Sequence, residues 1–437
     1  MSTPTKRVAF HTLGCKLNFS ETATISRDFL RHGFEKVDYR DTADIYVLNT
    51  CSVTENADKE ARKLIRQAKR RNPESAIAVI GCYAQLKPND IAAIDGVNIV
   101  LGTEEKFNLL NHLDNIDLNG GTKVIQSKID NINKFTPSYS SEERTRSFLK
   151  VQDGCDYTCS FCTIPLARGK SRSHTIESTM KVAREMAKTD AREIVLTGVN
   201  IGDFGKGSGD TFYDLIQQLD TLDKIDRIRI SSIEPNLLTD GIIEFCASSQ
   251  KFMPHFHVPL QSGSDKILGA MRRRYKRDLY ERRVLKIQQS IPDCCIGVDV
   301  IVGFPGETND DFLDTYNFLK GLDISYIHVF TYSERPNTDA IDIGEVISRE
   351  KRAERSKMLH ILSDKKRRYF QEQFLGQTRP VLVESTLDGK ATGHTDNYIK
   401  VKFKNDSNLN NSIVDVVLMK ITANMIMGYV DLNNDYS

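Results

Sequence analysis

The sequence predicts an α/β protein built from a parallel sheet, a partial α/β barrel and, at its carboxyl end, a small β-barrel. Three observations support this prediction. The chain has 437 residues, and domains usually hold about 100–200 residues each. Short apolar runs alternate with helical patterns over most of its length, which is typical of βαβ units. After Gly376 the hydrophobic period changes to two, which is typical of strands alone.

The amino-terminal unit, residues 1–118, is predicted from three apolar runs and the helical patterns between them. The strands are Val8–Leu13, Ile45–Asn49 and Ile77–Ile80, and the helices are Glu21–His32 and Glu55–Arg71. β-Branched residues are frequent in the runs, as in strands generally. The alternation predicts a parallel sheet with crossover helices, and its strands should end at one shared edge.

A polar stretch with Gly-Gly and serine-rich pieces predicts a linker over residues 119–143. The central unit, residues 144–375, then repeats strand and helix patterns and ends in a charged helix from Arg349 to about Phe374. Its strands are Phe148–Gln152, Ile194–Thr197, Ile228–Ser232, His255–Leu260, Val298–Gly303 and Tyr326–Thr331. Six such modules predict a partial, TIM-like barrel, whose chemistry should lie at the carboxyl ends of its strands.

The last unit, residues 376–437, has strand patterns at Val381–Ser385, Tyr398–Phe403 and Ile413–Ile421 and predicts a small β-barrel. The composition, 39% hydrophobic and 27% charged, is that of a globular protein. Neither a membrane span of about 18 apolar residues nor a secretory signal is visible. We therefore expect a cytoplasmic protein, in which the nine cysteines need an explanation other than disulfides.

The motif with the strongest chemical meaning is Cys155-Asp-Tyr-Thr-Cys159-Ser-Phe-Cys162, directly after a predicted strand. Three thiolates can hold three irons of a 4Fe–4S cluster and leave the fourth iron open. That iron can bind S-adenosylmethionine, and an electron from the cluster then releases a 5′-deoxyadenosyl radical. A structural zinc site is the alternative, but zinc usually takes four ligands and a fourth is missing nearby.

Residues at the ends of predicted barrel strands are candidate contacts for S-adenosylmethionine. Phe161 could stack on the adenine, and the backbone of Thr197 and Gly198 could receive the methionine amino group. Glu234, Gln261 and Gly303 end the third, fourth and fifth strands. Each signal is weak by itself, because a glycine at a strand end is more often a plain turn.

Three further cysteines, Cys15, Cys51 and Cys82, each follow one predicted strand of the amino-terminal sheet. The carboxyl ends of parallel strands lie on one edge, so the three thiols could converge and hold a second cluster. The alternative is three unrelated buried cysteines, since free cysteine is often buried. The remaining cysteines, which we interpret as core residues, are Cys246, Cys294 and Cys295.

With both cysteine triads, the chain resembles the methylthiotransferases of the radical S-adenosylmethionine superfamily over nearly its whole length. The resemblance implies a radical barrel and a carboxy-terminal TRAM barrel that binds RNA. It also implies two 4Fe–4S clusters and two molecules of S-adenosylmethionine, one as radical source and one as methyl donor. Cys15, Cys51 and Cys82 would hold the cluster that delivers sulfur.

Several motifs resemble the branch that acts on threonylcarbamoyladenosine beside the tRNA anticodon. They are Thr12-Leu-Gly-Cys15-Lys-Leu-Asn18, Asn49-Thr-Cys51-Ser-Val-Thr54, Gly81-Cys82-Tyr-Ala-Gln85, Val151-Gln-Asp-Gly-Cys155 and Leu196-Thr-Gly-Val-Asn-Ile-Gly202. The isopentenyladenosine branch, which is the rival prediction, more often begins Tyr-Gly-Cys-Gln, and a branch that modifies a ribosomal protein has Leu-Gly-Cys-Pro. The chain departs from the family at Phe19, where an aspartate is common, and at Asn337, where a glycine is common.

The predicted partners are the anticodon stem-loop of tRNA and an external electron donor such as flavodoxin or ferredoxin, and we expect a monomer. Basic runs at Lys59–Arg71, Arg272–Arg277 and Lys365–Arg368 are candidate phosphate contacts, although most such runs are solvated faces. The carboxylate of the threonylcarbamoyl group fits a guanidinium best, and the candidates are Arg168, Arg172 and Arg335. A non-catalytic RNA-binding protein with structural metal is the alternative of another class.

Overall fold

The amino-terminal part of the chain forms a six-stranded parallel sheet within the residues that the computed structural model describes, 5–51, 55–113, 116, 118, 120–140, 145–405 and 407–430. Its strands are β1 (Arg7–Thr12), β2 (Glu35–Val37), β3 (Ile45–Thr50), β4 (Ala76–Gly81), β5 (Ile99–Leu101) and β6 (Lys123–Ile125), in the order β2-β1-β3-β4-β5-β6. The helices are α1 (Lys16–Arg31), α2 (Glu55–Arg71), α3 (Cys82–Leu86), α4 (Pro88–Ala92) and α5 (Leu109–Leu113). Helices α1 and α2 cover opposite faces, so β3 and β4 are buried throughout.

The three strands predicted here are present. Strands β2 and β5, of three residues each, were not predicted, and two further details differ from the prediction. Helix α1 begins at Lys16 rather than Glu21, because the extended backbone of Cys15 forms its amino-terminal cap. Strand β6 lies inside the stretch 119–143 that was predicted as a linker, and it pairs with β5 in parallel. Its side chains are exposed or half-buried, so no apolar pattern marked it as a strand.

The central part of the chain forms the predicted partial barrel. Its strands are β7 (Ser138–Tyr139), β8 (Arg146–Lys150), β9 (Gln152–Asp153), β10 (Arg172–Ser173), β11 (Glu193–Thr197), β12 (Arg227–Ile230), β13 (His255–His257), β14 (Cys295–Val302) and β15 (Tyr326–Thr331). Parallel pairing joins β8, β11 and β12 and also joins β13, β14 and β15, while a bridge from Ile228 to Phe252 links the two groups. The six predicted strands are thus neighbours in chain order.

Eight α-helices surround these strands within the described residues. They are α6 (Ile164–Arg168), α7 (Ile176–Met186), α8 (Phe212–Asp220), α9 (Asp240–Ser248), α10 (Asp265–Ala270), α11 (Arg277–Ser290), α12 (Asn309–Gly321) and α13 (Arg349–Glu372). Thr308 caps α12 in a reciprocal capping box with Asp311. No helix in the described part of the chain has both the length and the apolar character needed to cross a membrane.

The carboxy-terminal strands close into the predicted small β-barrel. The strands are β16 (Thr378–Leu387), β17 (Lys390–Thr395), β18 (Lys400–Lys404), β19 (Ile413–Thr422) and β20 (Met425–Val430), in the order β16-β17-β18-β20-β19. The sequence did not predict β17 and β20, and each contains a glycine at a close backbone contact. A Cβ at Gly393 would lie 2.1 Å from the carbonyl oxygen of Leu382. Residues 431–437 of this predicted unit lie outside the described residues.

Buried arginines attach this small barrel to the central barrel. Arg229, in β12, donates hydrogen bonds to the carbonyl oxygens of Asp396 (2.7 Å) and Thr395 (2.9 Å) and also to the Glu193 carboxylate (2.9 Å). Arg227, which begins β12, donates to the carbonyl oxygen of Pro380 at 2.8 Å. The small barrel therefore lies against the amino ends of the central strands, opposite the end where the chemistry is expected.

Candidate functional site

Cys155, Cys159 and Cys162 lie in the loop between β9 and α6, at the carboxyl end of the central strands. The Cys155 amide donates to the carbonyl oxygen of Gly169 at 3.0 Å and anchors one side of the loop. Gly154 has a φ of +68°, and a Cβ there would lie 2.0 Å from the carbonyl oxygen of Lys170. The sequence thus places a glycine where the backbone turns into the cysteine loop.

The environment of this loop fits a metal cluster. Burial raises the pKa of the Cys155 and Cys162 thiols to about 12. A bound metal replaces the thiol protons and stabilises the thiolates.

Arg273 lies beside this triad, and the sequence analysis did not identify it as a site residue. Its Nη1 donates to the Sγ atom of Cys159 at 3.1 Å, and its other terminal nitrogen pairs with Glu234. The guanidinium also lies 5.1 Å from the centre of the Tyr275 ring. The sequence showed Arg273 only as part of the basic run Arg272–Arg277, but its side chain is buried and unavailable to a phosphate.

Two of the predicted cofactor residues, Phe161 and Gln261, line a cavity of about 200 Å³ together with Cys162. The Phe161 ring packs edge-on against the ring of Phe304, at a centroid distance of 6.5 Å. Glu234 reaches the triad through Arg273. The structure thus brings three of the predicted cofactor residues to the cysteine loop.

The other predicted cofactor residues lie at strand ends but contact protein groups. Thr197 ends β11, and its carbonyl oxygen accepts a hydrogen bond from the Val151 amide at 2.9 Å. Beyond Gly198, the amides of Val199 and Asn200 donate to the side chain of Gln152. Gly303 follows β14, and its amide donates to Glu307 at 2.7 Å.

Cys15, Cys51 and Cys82 lie at the carboxyl ends of β1, β3 and β4, which are neighbours in the sheet. A Cβ at Gly14 would lie 2.8 Å from the Cβ of Cys51, so glycine lets the Cys15 loop approach Cys51. Burial raises the pKa of the Cys82 thiol, and the nearby Cys15 adds to that shift. Residues Ser52–Thr54, which belong to the Cys51 motif, lie outside the described residues.

A buried ionic network lies between the two cysteine triads. Arg168 donates to Glu21 (3.1 Å), Asp153 (2.9 Å) and the side-chain oxygen of Asn18 (2.5 Å). Asn18 lies three residues after Cys15, and Asp153 lies two residues before Cys155. The network therefore connects the two cysteine loops through side chains.

Two lysines complete this network around Glu21. The Nζ atoms of Lys106 and Lys150 lie 2.7 Å and 3.1 Å from its carboxylate oxygens. Burial alone would raise the pKa of Glu21, but Arg168, Lys106 and Lys150 hold it well below the usual range. Glu21 is therefore an ionised carboxylate with no access to solvent.

The arrangement argues against a substrate role for the three arginines proposed from the sequence. The buried guanidinium of Arg168 is occupied by the network. Arg172 donates to Asp153 and to the carbonyl oxygens of Lys134, Arg168 and Lys170. Arg335 is buried and pairs with Asp58 at 3.1 Å. The sequence shows neither burial nor these partners, so it could not separate structural arginines from exposed ones.

Replacing Glu21 by glutamine is expected to destabilise the protein by about 3–5 kcal/mol, because the change leaves buried cations without their counter-charge. Thermal and urea unfolding of the metal-free protein would measure the loss. Glu35→Gln is the matched control, since Glu35 is exposed and lies 4.0 Å from an exposed arginine. Equal unfolding midpoints for the two variants would contradict the stabilising role of the network.

The comparisons with known proteins agree with this geometry. Residues 7–102 match the model of the uncharacterized protein family UPF0004, and residues 149–319 match that of the Radical SAM superfamily. The chain is 39% identical over 426 residues to the Bacillus subtilis (strain 168) threonylcarbamoyladenosine tRNA methylthiotransferase MtaB, covering 94% of both chains. It is 31% identical over 395 residues to the Endomicrobium trichonymphae tRNA-2-methylthio-N(6)-dimethylallyladenosine synthase, covering 89% of this chain and 91% of that one.

Among solved structures, the chain is similar in fold to TsrM, a radical S-adenosylmethionine methyltransferase from Kitasatospora setae. The TM-score is 0.56 at 13% sequence identity, and the match covers 77% of each chain. At this identity the likeness concerns the fold alone.

Proposed function

The chain belongs to the radical S-adenosylmethionine methylthiotransferase family, and on that premise we propose that it converts threonylcarbamoyladenosine beside the tRNA anticodon to its 2-methylthio derivative. The observation that supports this substrate is the sequence identity to the Bacillus subtilis threonylcarbamoyladenosine tRNA methylthiotransferase, which is 39% over 94% of both chains. The relative named for dimethylallyladenosine is 31% identical. We propose residues 1–118, 144–375 and 376–437 as the three domains of the enzyme, in a cytoplasmic monomer.

Cys155, Cys159 and Cys162 are proposed to hold the cluster that binds S-adenosylmethionine. With an electron from flavodoxin or ferredoxin, that cluster supplies the radical that removes hydrogen from carbon 2 of the adenine. Arg273 places a guanidinium against the Cys159 sulfur and stabilises its thiolate form. Glu234 holds that guanidinium in place, and Phe161 contributes a flat apolar wall to the adjoining cavity.

Cys15, Cys51 and Cys82 are proposed to hold the second cluster, which delivers sulfur. The ionic network between the triads supports this role. Among the described residues, it places Lys106, Lys150, Arg168 and Arg172 against the carboxylates of Glu21 and Asp153. The excess of positive charge suits the anionic thiolates on both sides. The network also fixes the two loops relative to each other, as a transfer between them requires.

The target adenine must leave the stack of the anticodon loop before its carbon 2 can reach a barrel interior. We propose that the small barrel binds a part of the RNA away from the target adenine, because it lies against the amino ends of the central strands and the cysteine loops lie at the carboxyl ends. Its formal charge is close to neutral, so shape and a few side chains must contribute more than bulk charge.

Mass spectrometry of nucleosides tests the proposed function. Reconstituted enzyme, dithionite and S-adenosylmethionine are incubated without oxygen with tRNA that carries threonylcarbamoyladenosine, and in parallel with tRNA that carries isopentenyladenosine. We expect the 2-methylthio product from the first tRNA only. Product from the second tRNA alone would assign the chain to the rival branch. A protein that binds zinc and leaves S-adenosylmethionine intact would be a non-catalytic one.

A further inference from the structure

A second cavity, of about 450 Å³, lies at the base of the central barrel, and no step of the proposed chemistry uses it so far. Its wall includes His255 and Tyr326, which begin β13 and β15, and Tyr398 from the small barrel. Lys16, from the amino-terminal unit, also lines the cavity. A cavity of this size can accept a substituent as large as an amino acid.

Lys16 directly follows Cys15 in the chain, and it lines this cavity. The residue is half-buried, and its ammonium forms no hydrogen bond or ion pair with a described residue. The charged groups that act on Lys16 from a distance are Arg146, Arg229 and Glu193, and the Glu193 carboxylate is bonded to Arg229 at 2.9 Å. A cation that is partly removed from water and has no partner would be stabilised by an anionic ligand.

His255 supplies a second polar atom at the same cavity. The residue is buried, and its Nδ1 atom has no hydrogen-bond partner among the described residues. Its Nε2 atom lies 3.0 Å from the Tyr326 hydroxyl, and its ring stacks on Tyr398 at 4.2 Å. The ring is thus held by two tyrosines, with one nitrogen left for a ligand.

A wall of three residues separates this cavity from the one beside Cys162. His257 and His328 line the larger cavity, and Asp299 lines the smaller one. The histidines lie 2.9 Å and 3.3 Å from the same carboxylate oxygen of Asp299. The two cavities are therefore neighbours inside one barrel and meet at these three side chains.

We propose that the larger cavity is the subsite for the threonylcarbamoyl arm of the substrate, with the Lys16 ammonium paired to its carboxylate and His255 hydrogen-bonded to the same arm. This inference rests on the proposed function. It replaces the three arginines, whose guanidinium groups are occupied or buried. An isopentenyl arm has no carboxylate, so it would gain nothing from the Lys16 ammonium.

The test measures equilibrium binding of two free nucleosides to the reconstituted holoenzyme. One is threonylcarbamoyladenosine, and the other is its neutral methyl ester. The wild-type protein should bind the acid more tightly than the ester. Lys16→Gln should lower the affinity for the acid by about tenfold to a hundredfold and leave the affinity for the ester unchanged. Lys16→Arg should keep most of the preference. Lys181→Gln, an exposed lysine on α7, is the control and should change neither value.

Three outcomes would overturn the inference. The first is that the wild-type protein binds the acid and the ester equally, a result that would be visible without any variant. Lys16→Gln could weaken both nucleosides alike, or neither. It could also weaken S-adenosylmethionine alone, in which case the carboxylate at Lys16 is that of the cofactor. Failure of the proposed function would give a different result, because wild-type enzyme would then form no 2-methylthio product from the threonylcarbamoyl tRNA.

Discussion

Replacing Cys159 by alanine is expected to lower 5′-deoxyadenosine formation by roughly a thousandfold or more, because one of three ligands of the radical cluster is lost. Cys159 is also the thiol that Arg273 contacts, at 3.1 Å. The variant removes that contact together with the ligand. Formation of 5′-deoxyadenosine from S-adenosylmethionine and dithionite, followed by chromatography, gives the rate without any RNA.

The matched control is Cys246→Ala. Cys246 is buried in the core of the central barrel, on α9, and burial raises the pKa of its thiol. Loss of this thiol should cost some stability and leave the rate of S-adenosylmethionine cleavage within a few-fold of wild type. If the Cys159 variant kept the wild-type rate, the radical cluster would have to be assigned to other ligands.

The sequence predicted most of the fold because strand and helix periods are local properties. The parallel strands of both α/β units appear near their predicted places, since their apolar runs are long and bounded by turns. The strands that escaped prediction include β2, β5 and β6, which have three residues each, and β17 and β20, which contain a glycine. Their pairing depends on neighbours distant in sequence, such as β5 for β6, which no local pattern encodes.

The convergence of Cys15, Cys51 and Cys82 could be predicted because the fold rule and the motif agree. A residue that follows a parallel strand lies at a known edge, whatever its distance in sequence. Arg168 shows where this reasoning ends. Its place after the radical motif suggested a substrate contact, but the partners that occupy it, Glu21 and Asn18, come from the other unit.

Lys16 and Arg273 show the opposite case, in which a functional candidate has no signal in the sequence. Arg273 belongs to a run of charged residues. Only the packing of the loop after α10 against the loop after β9 shows that its side chain contacts Cys159. Lys16 is a single lysine beside a motif cysteine. Its meaning depends on a cavity formed by three separate parts of the chain.

Replacing Cys15 by alanine is expected to separate the two cluster functions. The radical triad keeps its ligands, so 5′-deoxyadenosine formation should stay within about threefold of wild type. The 2-methylthio product should fall below detection, because the sulfur-delivering cluster loses a ligand. Iron per chain should fall by about half. Iron analysis, 5′-deoxyadenosine and nucleoside mass spectrometry are measured on one preparation.

Cys294→Ala serves as the control, because Cys294 is a buried cysteine of the central barrel and lies outside both triads. Full methylthio product from the Cys15 variant would mean that the amino-terminal cysteines do not deliver sulfur. A joint loss of both products would mean that the two clusters depend on each other, as the side-chain network through Arg168 allows. Glu21→Gln then distinguishes loss of a cluster ligand from dependence of the two clusters on each other, because it disturbs the network and leaves all six thiols in place.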